Sequence, residues 1–450
     1  MHDSHQQSDF HHFAHLSPTP TIEVVSTAVD VSGAHSPRAW TGHAAGTQTY
    51  RRIVVALMAG GLANFSLMYF VQPLLPMLAA HYGVSPAESA HALSITTLTI
   101  IVGLAVTGPL ADRMGRVAVM RWSLLASGFL GLASALAPTW TSLVAVRGLL
   151  GLTLAGLPGA ALAYLRDEVD TASHPRANAA YIAGTAVGGA VARLLPGPLA
   201  TIGGWPLAAT VVSLLTIAAG VLLVVLLPQS QGFRPRPVRI RQALLGTLAA
   251  PTDRVVALLC VAGFAAMGAY VGMYNAAAFR LQAPPFLLGA AASLVYLVYP
   301  IGIASPMLAR ALAERIGRGR AAAAGIGLLV VSVALLSLPT LPAMIAGLGM
   351  ITFAFLGIHS LLSGWVVDRA QRSGRGTAQA SSAYLGTYYL GSTISGALAT
   401  WLWQTGGWPG VAELGFCLAA LGLLATLAAA RADQGAEAAV VGAHEEFAQP

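Results

Sequence analysis

From residue 53 onward the chain alternates between apolar stretches and short polar joints. The apolar stretches are about 20 residues long, the length a helix needs to cross a hydrocarbon core of roughly 30 Å. The pattern predicts twelve spans, over 53–79, 90–110, 117–136, 140–165, 178–202 and 206–227, then 255–279, 286–309, 319–338, 342–367, 377–403 and 409–430. Helix is expected for each, because lipid offers backbone amides and carbonyls no partner. The longest internal polar stretch, 228–254, parts six spans from six. The expected organisation is a tail over 1–52, a six-helix bundle over 53–228, a linker over 229–254, a second bundle over 255–430 and a tail over 431–450. Both tails are expected to be disordered. The first is dotted with His2, His5, His11, His12, His15, His35 and His43 among Ser, Thr, Gln and Pro, and a weak metal-binding tract is its sharper reading.

The two sets of spans repeat one another. Asp112-Arg113-Met114-Gly115-Arg116 returns as Glu314-Arg315-Ile316-Gly317-Arg318, and Gly184-Thr185 as Gly386-Thr387, both at an offset of 202. Gly61 pairs with Gly263 at the same offset. Gly203-Gly204-Trp205-Pro206 returns as Gly406-Gly407-Trp408-Pro409, and Pro138-Thr139 as Pro339-Thr340, each within one residue of that offset. Ordered matches at one offset mark a duplication, and parallel halves related by an axis along the membrane normal are one known transporter plan. The fold class expected is all-α and membrane-embedded, two six-helix bundles related by pseudo-two-fold symmetry.

Composition sharpens this and removes rivals. Charged residues make up 9% of the chain and hydrophobic ones 56%, whereas soluble domains carry roughly 25% charged residues. The net charge of +7 does not signal nucleic acid, since the basic residues sit in short joints between apolar runs. All 24 are arginine, and with both termini inside, 21 of them lie in the cytoplasmic segments or, as Arg121 and Arg320 do, at the cytoplasmic ends of the adjoining spans. The outer loops hold only Arg280, while Arg147 and Arg193 lie within spans. That asymmetry predicts that both termini are cytoplasmic, and the expected location is the bacterial inner membrane. Arg234, Arg236, Arg239, Arg241 and Arg254 in the linker are expected to rest on anionic headgroups. Cys260 and Cys417 lie in apolar runs and suit neither a disulfide nor a metal. No cleavable signal peptide is evident.

The joint after the second span reads Gly108-Pro109-Leu110-Ala111-Asp112-Arg113-Met114-Gly115-Arg116. Glycines permit the turn, and an aspartate among arginines at a helix corner forms a charge cluster that can break and re-form. This resembles the signature loop of the major facilitator superfamily, small-x-Leu-Ala-Asp-Arg-x-Gly-Arg, with Val117 where the family usually places another basic residue. The resemblance implies that Gly108, Asp112, Arg113, Gly115 and Arg116, with Glu314, Arg315, Gly317 and Arg318 in the second half, form gating loops. It also implies that Asp112 meets the inner end of span 11, near Thr377, when the cytoplasmic side closes. Tyr69-x-x-Gln72-Pro73-Leu74-Leu75-Pro76, Arg147, His359-Ser360 and Ala380-Ser381-Ser382-x-Tyr384-Leu385 with Tyr388-Tyr389-Leu390-Gly391-Ser392 look like the YnfM-type branch of the twelve-span drug:proton antiporters. That resemblance implies proton-driven export of small molecules such as drugs or sugars. It implies no cofactor beyond the proton gradient, no metal and no catalytic group. Gly184-x-x-x-Gly188-Gly189 matches the antiporter glycine pattern in span 5 only loosely, because the proline expected after the second glycine is absent; close helix packing is its plain reading.

A charge at membrane depth is costly and faces a cavity or a partner. Arg147, as the resemblance suggests, is a candidate for proton or substrate coupling, and Arg193 either binds an anionic group or pairs with backbone carbonyls. No Asp or Glu sits in the middle of any predicted span, so Asp112, Glu413 and His359 are the remaining candidates for coupling, His359 because histidine titrates near neutral pH. A lone histidine in a span is otherwise a packing residue. The expected cavity between the halves draws on Asn64, Tyr69, Gln72, Asn275, His359, Tyr388 and Tyr389. Aromatics with few amides suit a neutral or amphipathic ligand, or an anion drawn by arginine, rather than a strongly cationic drug; each is equally able to serve as helix-packing glue. The function expected is secondary active transport by a monomer, with export first and an importer or facilitator as the alternative. A membrane enzyme or lipid-handling bundle finds no support in a nucleophile–base pair, P-loop or metal spacing.

Overall fold

The computed structural model describes residues 40–233, 245–247, 249–374 and 376–447. Helix dominates. In chain order the long elements are α1 (Gln48–Tyr82), α2 (Pro86–Met114), α3 (Arg116–Ala135), α4 (Trp140–Glu168), α5 (His174–Leu194), α6 (Pro196–Leu226), α7 (Arg254–Arg280), α8 (Ala291–Ile316), α9 (Arg318–Ser337) and α10 (Leu341–Arg372). A final run, Thr377–Phe447, follows. Ten stretches among the described residues are long and apolar enough to cross a membrane. The last of them covers 59 residues, about 90 Å as straight helix, or far more than one crossing needs. It breaks at Gly407 (φ 66°) into two arms, α11 (377–406) and α12 (408–447). The turn before α6 lies inside that element too, at Gly203-Gly204, so residues 196–203 complete the crossing begun by α5. Counted this way the described residues form twelve crossings, and the two breaks share one design. Gly204 (φ 71°) and Gly407 adopt the left-handed region closed to other residues, and each is followed by Trp and a proline that starts the next helix without needing an amide donor.

The bundles repeat in packing as well as in sequence. In the first, α1 packs on α5, α2 on α4 and α3 on α6; in the second, α7 packs on the last run, and α8 and α9 on α10. A Cβ on Gly188 would press into the Leu62 carbonyl of α1, and one on Gly391 into the Phe264 carbonyl of α7. These are the same close approach, once per bundle. Large apolar side chains such as Trp122, Phe129, Leu149 and Ile182 are turned outward, which suits a surface bathed in lipid.

One element departs from its expected winding. Gly289–Ala304, the beginning of the eighth crossing, is a 3₁₀ helix. Three residues per turn align every third side chain, so Ser293, Tyr296, Tyr299 and Gly302 are buried on one face while Leu294, Leu297 and Pro300 are exposed on another.

Among the described residues, structure reaches past both expected tail boundaries. Before residue 52 the His43 amide donates to the Glu168 carbonyl (2.8 Å), the Asp170 amide donates to the His43 carbonyl (3.1 Å), and Thr47 caps α1. At the other end the helix runs on past 430, and Asp433 is buried among arginines. Composition cannot reveal either, since each depends on a partner far away in sequence. His2, His5, His11, His12, His15 and His35 lie outside the described residues, as do Arg234, Arg236, Arg239 and Arg241 of the linker.

Valine at Gly188 or at Gly391 forces the paired helices apart. Each substitution is expected to cost about 1–3 kcal/mol through overpacking, read as a lower midpoint of thermal unfolding in detergent. Alanine at the exposed Gly364, where a Cβ meets nothing within 4 Å, serves as the neutral control.

Candidate functional site

The loops that carry the arginines gather at one end of the molecule, together with the starts of α1 and α7. There α2 ends and α3 begins across Gly115 (φ 91°), and α8 and α9 meet in the same way across Gly317 (φ 86°). In the first bundle Arg116 pairs with Asp167, donates to the Ala163 carbonyl and lies 3.9 Å from Asp112. Arg113 is exposed. In the second bundle Glu314 makes an exposed pair with Arg310, and Arg315 is exposed. Arg318 reaches Asp368 (3.1 Å) and Asp433 (2.7 Å) and covers the Trp365 ring. Arg369 joins Asp433 (3.4 Å) to Asp253 (2.9 Å), and Arg372 completes the ring around Asp433 (2.9 Å). The first-half loop carries the fuller motif, yet the larger charge network forms in the second half. Its centre is Asp433, a residue the motif does not contain. Glu168, also unforeseen, is fully buried and accepts from the Ser230 hydroxyl and from the amides of Gln231 (3.1 Å) and Gly232 (2.9 Å), tying the start of the linker to α4.

These networks stay within their own bundles. The bundles meet at the opposite end. Gln72 donates to Asn275 (2.7 Å), which donates in turn to the Gly396 carbonyl (3.3 Å). Thr97 and Thr393 share a hydrogen bond of 2.8 Å, and the Ala87 amide donates to Gln404 (3.4 Å). Gly197 lies so close to Ser293 that a Cβ would collide with it. Gln72 and Asn275, expected to line a cavity, therefore clasp this end shut. Asp112 pairs inside its own loop, with Arg116, rather than with the start of α11 as expected.

Arg147 and Arg193 are both buried and differ in every other respect. Arg147 on α4 donates from Nε to Ala92 (2.8 Å), from Nη1 to Leu67 (3.1 Å) and from Nη2 to Met68 (2.8 Å), all backbone carbonyls. Leu67 and Met68 end the regular part of α1, just before the 3₁₀ turn Gln72–Leu74 in which Pro73 offers no amide. The guanidinium thus takes the place of missing backbone donors at a helix C-terminus, where positive charge is favoured. Among the described residues Arg193 on α5 makes one hydrogen bond, from Nη1 to the Gly189 carbonyl of its own helix (2.9 Å). Four tyrosine rings face its Cζ: Tyr69 at 5.0 Å, Tyr270 at 5.5 Å, Tyr274 at 4.8 Å and Tyr299 at 4.8 Å.

An aromatic column leads away from that cage. Tyr270 stacks on Phe355 with centroids 4.2 Å apart, and Phe355 stacks on His359 at 6.0 Å. His359 lies 4.6 Å from Tyr388, and its Nδ1 shares a hydrogen bond of 3.1 Å with the Tyr384 hydroxyl. Tyr389 meets Tyr388 edge-on. Tyr69, His359, Tyr388 and Tyr389 from the expected set thus belong to one assembly with Arg193. Asn64 is buried, and neither atom of its amide has a hydrogen-bond partner among the described residues. Glu413 is exposed on α12. Sequence reasoning missed Tyr270, Tyr274, Tyr296, Tyr299 and Phe355. Spacings of three and four between those tyrosines were the signal, but the same spacings serve ordinary packing.

The chain matches the family described as Major Facilitator Superfamily over residues 57–304. It is 33% identical over 367 residues to the Inner membrane transport protein YnfM of Escherichia coli (strain K12), covering 81% of this chain and 87% of that protein. The Uncharacterized MFS-type transporter YybF of Bacillus subtilis (strain 168) is 33% identical over 368 residues, covering 81% and 90%. Among solved structures, the fold is similar to that of a bacterial homolog to the human lysosomal transporter Spinster, in an inward-facing and unoccupied conformation. That match has a TM-score of 0.66 at 16% identity and covers 86% of this chain and 98% of the other.

Two outcomes are expected from the charged groups. Arg147→Gln leaves buried carbonyls without donors, each costing roughly 1–3 kcal/mol, and Arg147→Lys, lacking the fork, restores only part; thermal unfolding of both variants measures this. At the arginine-rich end, burial raises the Asp253 carboxyl, but Arg369 and the amides of Val256 and Val255 outweigh it and hold the group below its ordinary value. A carboxylate depressed on folding stabilises the protein above its unfolded pKa and loses that contribution as pH falls through the folded one. The gap in unfolding temperature between the native chain and Asp253→Asn is therefore expected to stay level from about pH 7 to 5 and to close below about pH 4.

Proposed function

The chain belongs to the major facilitator superfamily of membrane transporters, and on that premise we propose that it exports a small molecule by proton-coupled alternating access. The observation that carries this reading is the division of contacts between the two ends. Amides, hydroxyls and rings join the bundles at one end, while at the other end the ion pairs hold each bundle to itself. Two rigid bundles joined at a single end are one of the two states that a rocking mechanism needs. The excess of arginine supports a reading in which the separated end, and with it both termini, faces the cytoplasm of a bacterial inner membrane. The state described here is then inward-facing, with Asp112 waiting for the start of α11 to approach.

Proton coupling has few groups to use. Within the spans, His359 is the titratable side chain that contacts the aromatic assembly, and its bond to Tyr384 links α10 to α11. We assign coupling to that pair rather than to the exposed Glu413. Arg147 acts on the cycle indirectly, by holding the break in α1 from which Gln72 reaches across the gate. Uptake is the second reading, favoured by Arg193, whose charge lies toward the closed end where an external anion would enter.

Everted membrane vesicles carrying a preformed pH gradient distinguish the two directions. With a panel of neutral, cationic and carboxylate aromatic compounds added outside, the native chain is expected to collapse the gradient for at least one compound, and His359→Gln is expected to lose that response. Accumulation of a compound in whole cells, with no collapse in vesicles, would establish uptake instead.

A further inference from the structure

We propose that the Arg193 guanidinium is the carboxylate-binding subsite of the state open at the end closed here, and that its ligand is a small organic anion with a flat apolar body. The proposal rests on the alternating-access reading above and adds the class of substrate. Only 1% of Arg193 is exposed, and Nη1 alone has a hydrogen-bond acceptor among the described residues. Nε and Nη2 are buried without one. Those two nitrogens present their hydrogens side by side along one edge of the guanidinium, which is the edge that grips a carboxylate through two parallel bonds.

The fold shows elsewhere how it saturates a buried guanidinium with backbone carbonyls. Arg147 has carbonyls on all three nitrogens. Arg193 instead has rings, whose faces attract a cation but accept no conventional hydrogen bond. A third polar atom is left over beside the cage: Tyr296 stacks on Tyr274 at 5.8 Å, and its hydroxyl is buried without a partner among the described residues.

The cage is split between the bundles. Arg193 and Tyr69 belong to the first, while Tyr270, Tyr274 and Tyr299 belong to the second. Separating the bundles at this end draws three of the four rings off the guanidinium and uncovers its fork on the path a ligand takes. A carboxylate then replaces the rings as the counter-group, and the tyrosines receive the apolar body. A cationic ligand meets like charge at the same point and is refused.

The test uses the full chain in lipid nanodiscs with benzoate as the probe, and benzamide and benzylamine as its neutral and cationic counterparts. Gly197→Trp places a bulky side chain against Ser293 and holds the end open. Opening is read independently as maleimide labelling of Ser94→Cys, a position buried near Thr393 and Gly396, with Cys260 and Cys417 replaced by serine. In the wedged chain we expect faster labelling and benzoate binding that benzamide and benzylamine do not match. Arg193→Gln is expected to weaken benzoate at least about thirtyfold, and Arg193→Lys less, since it keeps the charge without the fork; unfolding temperatures confirm that both variants are folded. Faster labelling without benzoate binding that depends on Arg193 overturns the subsite alone. Unchanged labelling in the wedged chain overturns the alternating-access reading and the subsite with it.

Discussion

A backbone that leaves water must find every hydrogen bond within the protein, and the rest of this structure follows from how that demand is met where helices end or break. Regular helix satisfies itself; its last carbonyls do not. Arginine supplies the missing donors at three such places. Arg147 serves the end of the regular part of α1, Arg121 donates to Leu223 (3.2 Å) and Leu227 at the end of α6, and Arg280 donates to Leu336, Ser337 (3.3 Å) and Leu338 (3.2 Å) at the end of α9. In each case a planar donor set takes the place of water, and its charge suits the negative end of the helix dipole. Arg193 is the buried arginine that leaves this pattern, since its one carbonyl lies within its own helix. That contrast separates a guanidinium saturated by backbone carbonyls from one left mainly to aromatic rings.

The architecture was largely legible in the sequence because one physical term dominates it. Apolar length predicts the crossings, and duplicated Gly-Trp-Pro segments mark equivalent turns without any structure. The winding of Gly289–Ala304 was not legible, since a segment apolar on nearly every side looks alike at three and at 3.6 residues per turn. The ordered ends escaped for another reason. His43 is held by the α4–α5 joint and Asp433 by arginines from α9 and α10, so neither is recognisable from its neighbours in the chain. In the site, Arg147 and Arg193 stand out as charges among apolar residues, but nothing nearby tells that one is saturated by carbonyls and the other is not. The tyrosines of the cage come from α1, α7 and the 3₁₀ segment, and only folding brings them to one point.

The repeat is kept in the backbone and abandoned in the chemistry. Gly115 and Gly317, Gly188 and Gly391, Gly204 and Gly407 hold equivalent turns or approaches, yet the first bundle contributes the free guanidinium and the second contributes most of its rings. This asymmetry suits a gate. A buried ion pair across the closing surface would cost about 3–5 kcal/mol to break if either charge were left alone, and such a latch would oppose opening. Among the described residues, the bonds that cross the closed end are instead between amides and hydroxyls, each worth roughly 0.5–1.5 kcal/mol net, and the charge of Arg193 beside them rests on tyrosine faces. Ion pairs are placed where no separation is required, inside each bundle at the arginine-rich end. A surface built this way can close firmly and still open on the timescale of domain motion, because its strongest electrostatic partner is one that a ligand can supply.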